Sequence, residues 1–231
     1  MGKKRYIREI HVVAYVLMLV FIVIGFVKAA EGQEAFMTYL KEDGLVENLT
    51  TLFLAASSGI AVWRAVKQWQ AGRKVSTLTW ALLAFLFFFA AGEEISWGQR
   101  IFNIETPEYF MEKNLQKETN LHNLVIGNVK VNKLIFSQLL TAAMVVYFLG
   151  LRLLAVKTRF FGKVVSVTGL PLPRWEHTAA LAIGTILVSQ YHMVKAGELR
   201  ELVFAVVFFL VFLYPFLMNS GEKPSENELV A

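Results

Sequence analysis

Six long apolar segments limit what this chain can fold into. They cover about residues 11–30, 45–63, 76–97, 134–154, 178–194 and 202–218. A helix needs about 20 mainly apolar residues to cross a bilayer, because the hydrocarbon core is roughly 30 Å thick. Apolar residues make up 56% of the chain, more than a soluble domain usually carries. The sequence therefore predicts an all-α fold, a polytopic transmembrane bundle of about six spans.

Basic residues give the predicted orientation of these spans. Lysine and arginine are concentrated at the N-terminus and in the connections 64–74 and 152–174. Such short basic loops stay in the cytoplasm, so both termini are predicted to be cytoplasmic. This distribution accounts for the net charge of +5 without a nucleic-acid partner. We expect a single transmembrane domain over residues 1–218 and a polar, disordered tail over 219–231.

The third-to-fourth connection, about residues 98–133, is the longest. Its Thr-Pro-Glu sequence at 106–108 has the order of a helix start, with threonine as N-cap and proline at the first helical position. Apolar residues then follow on one side, up to Leu115. This pattern predicts a short helix that lies in the membrane interface. A second short helix is expected to begin near Thr119 and to carry His122.

The motif Ala-Gly-Glu-Glu-Ile-Ser-Trp-Gly-Gln-Arg at 91–100 directly follows a long apolar run. Ionisable groups at the end of such a run are costly, so Glu93 and Glu94 indicate a function. On a helix, Glu93 shares a face with Arg100, while Glu94 points about 100° away. One glutamate can then pair with Arg100 and the other can face a second partner. The alternative is that a glutamate–arginine pair only locks the end of a helix.

Further ionisable or amide side chains lie at or near the ends of the predicted spans. They are Glu47 in the second segment, Glu118, Asn120 and His122 in the long connection, and His192, Glu198 and Glu201 in the last hairpin. The structural alternative is interhelical hydrogen bonding for Glu47, helix capping for Glu198 and Glu201, and an ordinary surface histidine for His122. The predicted topology places all of them at the extracytoplasmic face, where a bundle would gather them into one polar pocket. His11 and His177 lie at the cytoplasmic ends and are interpreted as interfacial residues.

The chemistry of such a pocket is limited, because the chain has no cysteine. The predicted catalytic residues are Glu93, Glu94, Arg100 and His122. Two mechanisms stay open. One is metal-free acid–base catalysis by a glutamate and a histidine. The other is a zinc, manganese or iron site that activates water, with ligands drawn from Glu47, Glu94, His122, His192 and Glu198.

The 91–102 run and the sequence Glu-Thr-Asn-Leu-His-Asn-Leu at 118–124 resemble motifs of a family of uncharacterised bacterial multi-span membrane proteins. This resemblance implies a bacterial plasma membrane. Glu93 and Glu94 also resemble the glutamate pair of CAAX-type intramembrane proteases, including the bacteriocin-processing branch. The resemblance implies that His122 and His192 act as the two histidines of that site. The chain departs from the pattern because Arg100 follows Glu94 by six residues instead of four.

Together these features lead to the hypothesis of an integral membrane hydrolase or transferase. It would act at the extracytoplasmic face on a lipid, lipid-linked or membrane-peptide substrate. A transporter or channel subunit is one alternative, because intramembrane carboxylates and histidines also form proton relays. The inner halves of the predicted spans are nearly all apolar, however, and no repeated halves are visible. The other alternative is a non-catalytic assembly factor whose polar ends bind a partner.

Overall fold

The computed structural model describes residues 2–126, 129–130, 140–193 and 195–216, and most of these residues are helical. The helices are α1 (Gly2–Glu31), α2 (Gln33–Tyr39), α3 (Leu45–Gln70), α4 (Lys74–Glu94), α5 (Gln99–Phe102), α6 (Glu108–Lys113), α7 (Leu140–Val145), α8 (Arg152–Lys157), α9 (Arg159–Thr168), α10 (Trp175–Ser189) and α11 (Ala196–Leu213). A 3-10 turn (Ser96–Gly98) joins α4 to α5, and a π-helical segment (Val146–Leu151) joins α7 to α8. Strands β1 (Val125–Ile126) and β2 (Val129–Lys130) form a small antiparallel hairpin.

Three helices of the described chain are long and apolar enough to cross a membrane. They are the segments Arg5–Glu31, Leu45–Gln70 and Lys74–Glu94, and they match the first three predicted spans. The bent pair Thr141–Lys157 and Arg159–Thr168 makes a fourth if its two parts are taken as one span. Large apolar side chains such as Leu82, Phe85 and Phe88 are exposed along α4. Because lipid can cover such a face as well as protein can, the fold is compatible with an integral membrane protein.

Several predicted boundaries shift. The third segment was expected to continue to residue 97, but α4 ends at Glu94. The fifth and sixth segments correspond to α10 and α11, which begin and end earlier than predicted. Residues 134–139 of the fourth segment and the tail 219–231 lie outside the described residues. The short helix expected after Thr106 is α6, with Pro107 as its N-cap residue. The helix expected near Thr119 was predicted wrongly, because residues 115–124 form turns and bends.

The last apolar segment forms the centre of the bundle. Helix α11 packs against α1, α3 and α10. Apolar side chains occupy its whole circumference, and those with at most 1% of their surface exposed are Leu199, Leu202, Val203, Ala205, Val206, Val207, Leu210, Val211 and Phe212. A helix that is apolar on all sides is stable only when other helices or lipid surround it. The core is therefore built around α11, while α3 and α4 form one outer layer beside it.

Helices α10 and α11 approach closely at one glycine. A Cβ atom added at Gly184 would be 2.8 Å from Cγ1 of Val203. Valine has one strongly preferred rotamer in a helix, so this side chain cannot easily move away. By contrast, a Cβ atom at Gly59 in α3 would meet no atom within 4 Å. Gly184 is thus a crowded helix position, and Gly59 is an open helix position that can serve as its control.

We expect Gly184→Ala to lower the apparent melting temperature of the purified protein in detergent. Overpacking a close helix contact costs about 1–3 kcal/mol, which outweighs the gain of about 1 kcal/mol from replacing glycine in a helix. Gly59→Ala should leave the melting temperature unchanged or raise it. Thermal unfolding followed by size-exclusion chromatography measures both. An equal rise in the two variants would contradict the close approach of α10 and α11.

Candidate functional site

Helix α4 ends in a left-handed turn that the 91–100 motif encodes. Ser96, Trp97 and Gly98 have φ angles of 47°, 56° and 75°. Glycine adopts such angles readily, but serine and tryptophan do so only when surrounding contacts hold them. The turn folds the Trp97 ring back against α4 at Gly92, where an added Cβ atom would be 2.8 Å from the ring. Both glycines of the motif are therefore explained by the structure: Gly92 leaves room for the indole, and Gly98 adopts the positive φ of the turn.

Glu93 connects this turn to the long connection. Its Oε1 accepts a hydrogen bond of 2.9 Å from the indole N–H of Trp97. Its Oε2 accepts hydrogen bonds from the backbone N–H groups of Leu121 (2.6 Å) and His122 (3.1 Å). Only 3% of the residue is exposed. A buried carboxylate with three donors is fully satisfied, so Glu93 positions the segment that carries His122.

Arg100 joins the long connection to the start of α3. Its guanidinium is 2.7 Å from Asp43, 2.9 Å from Glu47 and also pairs with Glu118. Burial lowers the pKa of Arg100, but the carboxylates of Glu118, Asp43 and Glu47 outweigh this effect and raise it. The side chain therefore stays charged. The predicted pairing of Arg100 with one glutamate of the 93–94 pair was wrong, because the helix ends before Arg100 could share a face with Glu93.

A network of buried side chains completes the connection. The Ser96 hydroxyl donates to Glu118 Oε2 at 2.5 Å and accepts a hydrogen bond of 2.9 Å from the Asn120 amide. Asn120 Oδ1 in turn accepts from the amide of Asn114 at 2.8 Å. Ser96, Asn114 and Asn120 are all buried. The long connection has little regular secondary structure here. A buried polar network in which every group is hydrogen-bonded can still hold such a segment in one conformation.

Glu94 faces a different set of groups. It is half-buried and lies in electrostatic range of His122, Glu198 and Glu47. Glu201, which is exposed, is in range of Glu94 and Glu198. In the part of the chain that the structure describes, no hydrogen bond ties Glu94 to a partner. Helices α3, α4 and α11 thus bring four carboxyl groups to the same end of the bundle, where His122 of the long connection also lies.

His122 is half-buried and held on both sides of its ring. Its Nδ1 is 3.7 Å from Oε2 of Glu93. The Asn123 amide nitrogen is 2.8 Å from its Nε2, so the amide can donate a hydrogen bond to that nitrogen. This bond places the imidazole proton on Nδ1, towards the carboxylate. His122 was expected to share a helical face with Glu118, but the two point to different partners because no helix forms there.

His192 does not join this group. It is exposed in the connection between α10 and α11, and no contact among the described residues links it to the other predicted site residues. Within the described chain, the one group of three ligand atoms that could share a metal ion lies elsewhere. The predicted ligand set around Glu94, with Glu47 and Glu198 from other helices, stays a prediction.

That other group lies at the opposite end of the bundle, where α1 and α10 meet. Ligand atoms of His11, Glu176 and His177 are all within 4.8 Å of one another, so these residues could hold a metal ion. The two histidines, interpreted from the sequence as interfacial residues, are buried, with only 6% and 0% of their surfaces exposed. The sequence signal for this pair was weak, because 166 residues separate the histidines and only their common membrane face was predictable.

Hydrogen bonding favours a neutral histidine pair over a metal centre. Nδ1 of His11 donates to the Ile7 carbonyl at 2.8 Å, which leaves Nε2 as an acceptor. The backbone N–H of Arg174 donates to Nδ1 of His177 at 3.2 Å, so the proton of His177 is on Nε2. The two Nε2 atoms are 3.1 Å apart and form one hydrogen bond. A metal ion on His177 Nε2 would move that proton to Nδ1, where it would oppose the Arg174 N–H.

Comparison of the chain with protein-family models, with curated proteins and with solved structures found no match. The geometry of the two clusters is therefore the basis for any functional assignment.

We expect Glu93→Gln to loosen residues 115–124. An amide has one acceptor oxygen, so its NH2 group would oppose either the Trp97 indole or the backbone donors. Leaving a buried donor unpaired costs about 1–3 kcal/mol, so hydrogen exchange of the peptide that contains Leu121 and His122 should accelerate by about tenfold or more. In a Trp97→Phe background, which removes the indole donor, Glu93→Gln should accelerate exchange less. Equal acceleration in both backgrounds would show that the Glu93–Trp97 hydrogen bond does not form.

We expect added zinc to leave the melting temperature of the protein unchanged, because the His11–His177 hydrogen bond occupies the nitrogens that an ion would need. Metal analysis of protein purified without chelators provides the second measurement. His192→Gln, a change at an exposed histidine, is the matched control for His177→Gln. Near-stoichiometric zinc in the parent and in His192→Gln, lost in folded His177→Gln protein, would overturn the neutral pair.

Proposed function

We propose that this chain is an integral membrane hydrolase or transferase in which Glu94 is the acid–base residue and His122 is its partner. One observation carries the proposal. Of the two adjacent glutamates, Glu93 holds the turn and the connection through hydrogen bonds. Glu94 has no hydrogen bond in the described structure and is in electrostatic range of His122 and of carboxyl groups on α3 and α11. A carboxyl group and an imidazole in the same site are a common pair for proton transfer.

The surrounding residues support this division of roles. Glu93, Arg100, Glu118 and Asn120 are positioning residues, because their polar atoms bind one another or the backbone of the connection. The approach of Glu93 to Nδ1 orients the imidazole of His122. A carboxylate that fixes the tautomer and direction of a histidine is a common feature of hydrolytic sites.

The proposed reaction is the transfer of an acyl or related group to water or an alcohol. Nε2 of the neutral His122 ring takes the proton of the attacking hydroxyl, and the new bond forms at the electrophilic carbon or phosphorus. The carboxylic acid of Glu94 gives its proton to the leaving group as the old bond breaks. The proton on His122 Nε2 then returns to Glu94, which restores both groups. These steps use only the side chains of Glu94 and His122.

The proposal includes a six-span topology. The spans are α1, α3, α4, the α7–α8 segment, α10 and α11, and both termini are cytoplasmic. Basic residues such as Lys67, Arg73 and Lys74 lie at the end of α3 and α4 opposite to Glu47 and Glu94. This separation of charge supports the orientation by the positive-inside rule. The site then faces the extracytoplasmic side of a bacterial plasma membrane, with α6 in the interface above it, where a lipid, lipid-linked or membrane-peptide substrate can enter.

We expect Glu94→Gln to abolish turnover without loss of folding. Protein in nanodiscs would be incubated with bacterial lipid extract and with a membrane-spanning model peptide, and products would be identified by mass spectrometry. Removing an acid–base residue should lower the rate by about 100-fold or more, and His122→Gln should have a similar effect. Glu105→Gln, a change at an exposed glutamate of the same connection, is the control and should keep full activity.

Two results would contradict the enzyme proposal. If Glu94→Gln keeps the parent rate, Glu94 is not the acid–base residue. If no product forms but proteoliposomes show an ion flux that Glu94→Gln removes, the carboxyl groups serve transport instead. Size-exclusion profiles and melting temperatures of each variant separate a loss of chemistry from a loss of fold.

A further inference from the structure

Helix α9 leaves the preceding helix at a sharp angle. The axes of the α7–α8 segment and of α9 are bent by 112° at Thr158. Thr158 has an extended backbone, and its hydroxyl accepts a hydrogen bond from the N–H of Phe161 at 3.3 Å, so it is a true N-cap. With ten residues α9 is about 15 Å long, roughly half the thickness of the hydrocarbon core. A helix of this length that runs across the axis of a span cannot itself cross the membrane.

The outer face of α9 is apolar with a basic flank. Phe160, Val164 and Val167 recur at helical spacing, and 71%, 41% and 51% of their surfaces are exposed. Arg159 and Lys163 are exposed along one side of this stripe. The opposite face packs inward, where Val165 is only 3% exposed. Large exposed apolar residues beside basic ones are typical of helices that lie in a membrane interface.

The position of α9 along the bundle agrees with this interpretation. Gly169, which ends α9 with a φ of 62°, packs against Ser76 in the first turn of α4. Helix α9 is therefore at the end of the bundle where α3 and α4 are joined and where Lys74 begins α4. In the six-span topology proposed above, on which this step rests, this is the level at which α3 and α4 leave the bilayer. Cytoplasmic leaflets carry anionic lipids, and basic residues near such a surface bind them.

We propose that α9 lies in the bilayer interface at the basic end of the bundle and binds anionic phospholipids. Phe160, Val164 and Val167 contact the acyl chains. Arg159 and Lys163 extend from the flank and pair with lipid phosphates, since the apolar part of such side chains can lie along the membrane while the charge reaches the headgroups. Helix α4, which contacts α9, exposes the apolar side chains of Val75, Leu78 and Leu82, and lipid is the occupant that would cover these side chains together with those of α9. This proposal does not depend on the enzymatic role of Glu94.

The first experiment measures the depth of α9 in a membrane. The chain has no cysteine, so single cysteines can be introduced and spin-labelled without other changes. Phe160→Cys and Val164→Cys would be compared with Phe85→Cys, on the exposed apolar face of α4, and with Glu105→Cys, in an exposed connection. In proteoliposomes the two α9 labels should collide with oxygen more than with a water-soluble nickel reagent, as the Phe85→Cys label does. Lys163→Cys should be shallower than both.

If the Phe160→Cys and Val164→Cys labels are as accessible to the nickel reagent as Glu105→Cys, α9 is in water and the proposal is wrong. If Lys163→Cys is as deep as Phe85→Cys, α9 is part of a broken span, which also overturns it.

The second experiment tests the lipid class. Native mass spectrometry of delipidated protein would compare binding of phosphatidylglycerol with binding of phosphatidylcholine. Arg159→Gln with Lys163→Gln should lower the affinity for phosphatidylglycerol by about fivefold for each charge removed and leave phosphatidylcholine binding unchanged. Lys113→Gln with Lys117→Gln, at exposed lysines on the other side of the bundle, should have no such effect. An unchanged preference for phosphatidylglycerol in the α9 variant would overturn the assignment to anionic lipid.

Discussion

The buried carboxylate of Glu93 is the interaction on which the organisation of the candidate site depends. It accepts hydrogen bonds from an indole one turn further along the chain and from two backbone N–H groups of the long connection, 28 and 29 residues away. A segment without regular secondary structure has few backbone partners of its own, so a buried charged acceptor has a large effect on its conformation. Through these bonds one side chain determines where Leu121 and His122 lie relative to the end of α4.

The same arrangement explains why two adjacent glutamates have different environments. If α4 continued as a regular helix beyond Glu94, the side chains of Glu93 and Glu94 would both point towards the ends of neighbouring helices. Instead the left-handed turn at Ser96, Trp97 and Gly98 ends α4 directly after Glu94. The turn directs the indole back to Glu93 and removes any chance that Glu93 pairs with Arg100. Arg100 then pairs with Asp43, Glu47 and Glu118 and so weakens the repulsion among these three carboxylates.

Part of this architecture was predictable from the sequence. The length of the apolar segments identified α1, α3 and α4, because the thickness of a bilayer gives a direct criterion for a spanning helix. The grouping of Glu94, Glu198 and His122 at one end of the bundle was predicted from a count of six spans, of which the described helices support three. The individual partners were not predictable, since Trp97 at positive φ and the backbone donors of 121–122 have no local signature. For the same reason His11 and His177 looked like separate interfacial residues, although they form one buried hydrogen bond.

Backbone strain and the polar network depend on each other in this site. A serine and a tryptophan at positive φ each cost about 1–3 kcal/mol, and such a cost persists only where several contacts over-determine the conformation. Here Ser96 is held by Glu118 and Asn120, and Trp97 is held by Glu93 and the space above Gly92. Glu93, Ser96 and Arg100 are therefore occupied in holding the turn and the connection. Glu94 is the acidic group of the motif that the turn leaves outside that network, at the point where three helices and His122 converge.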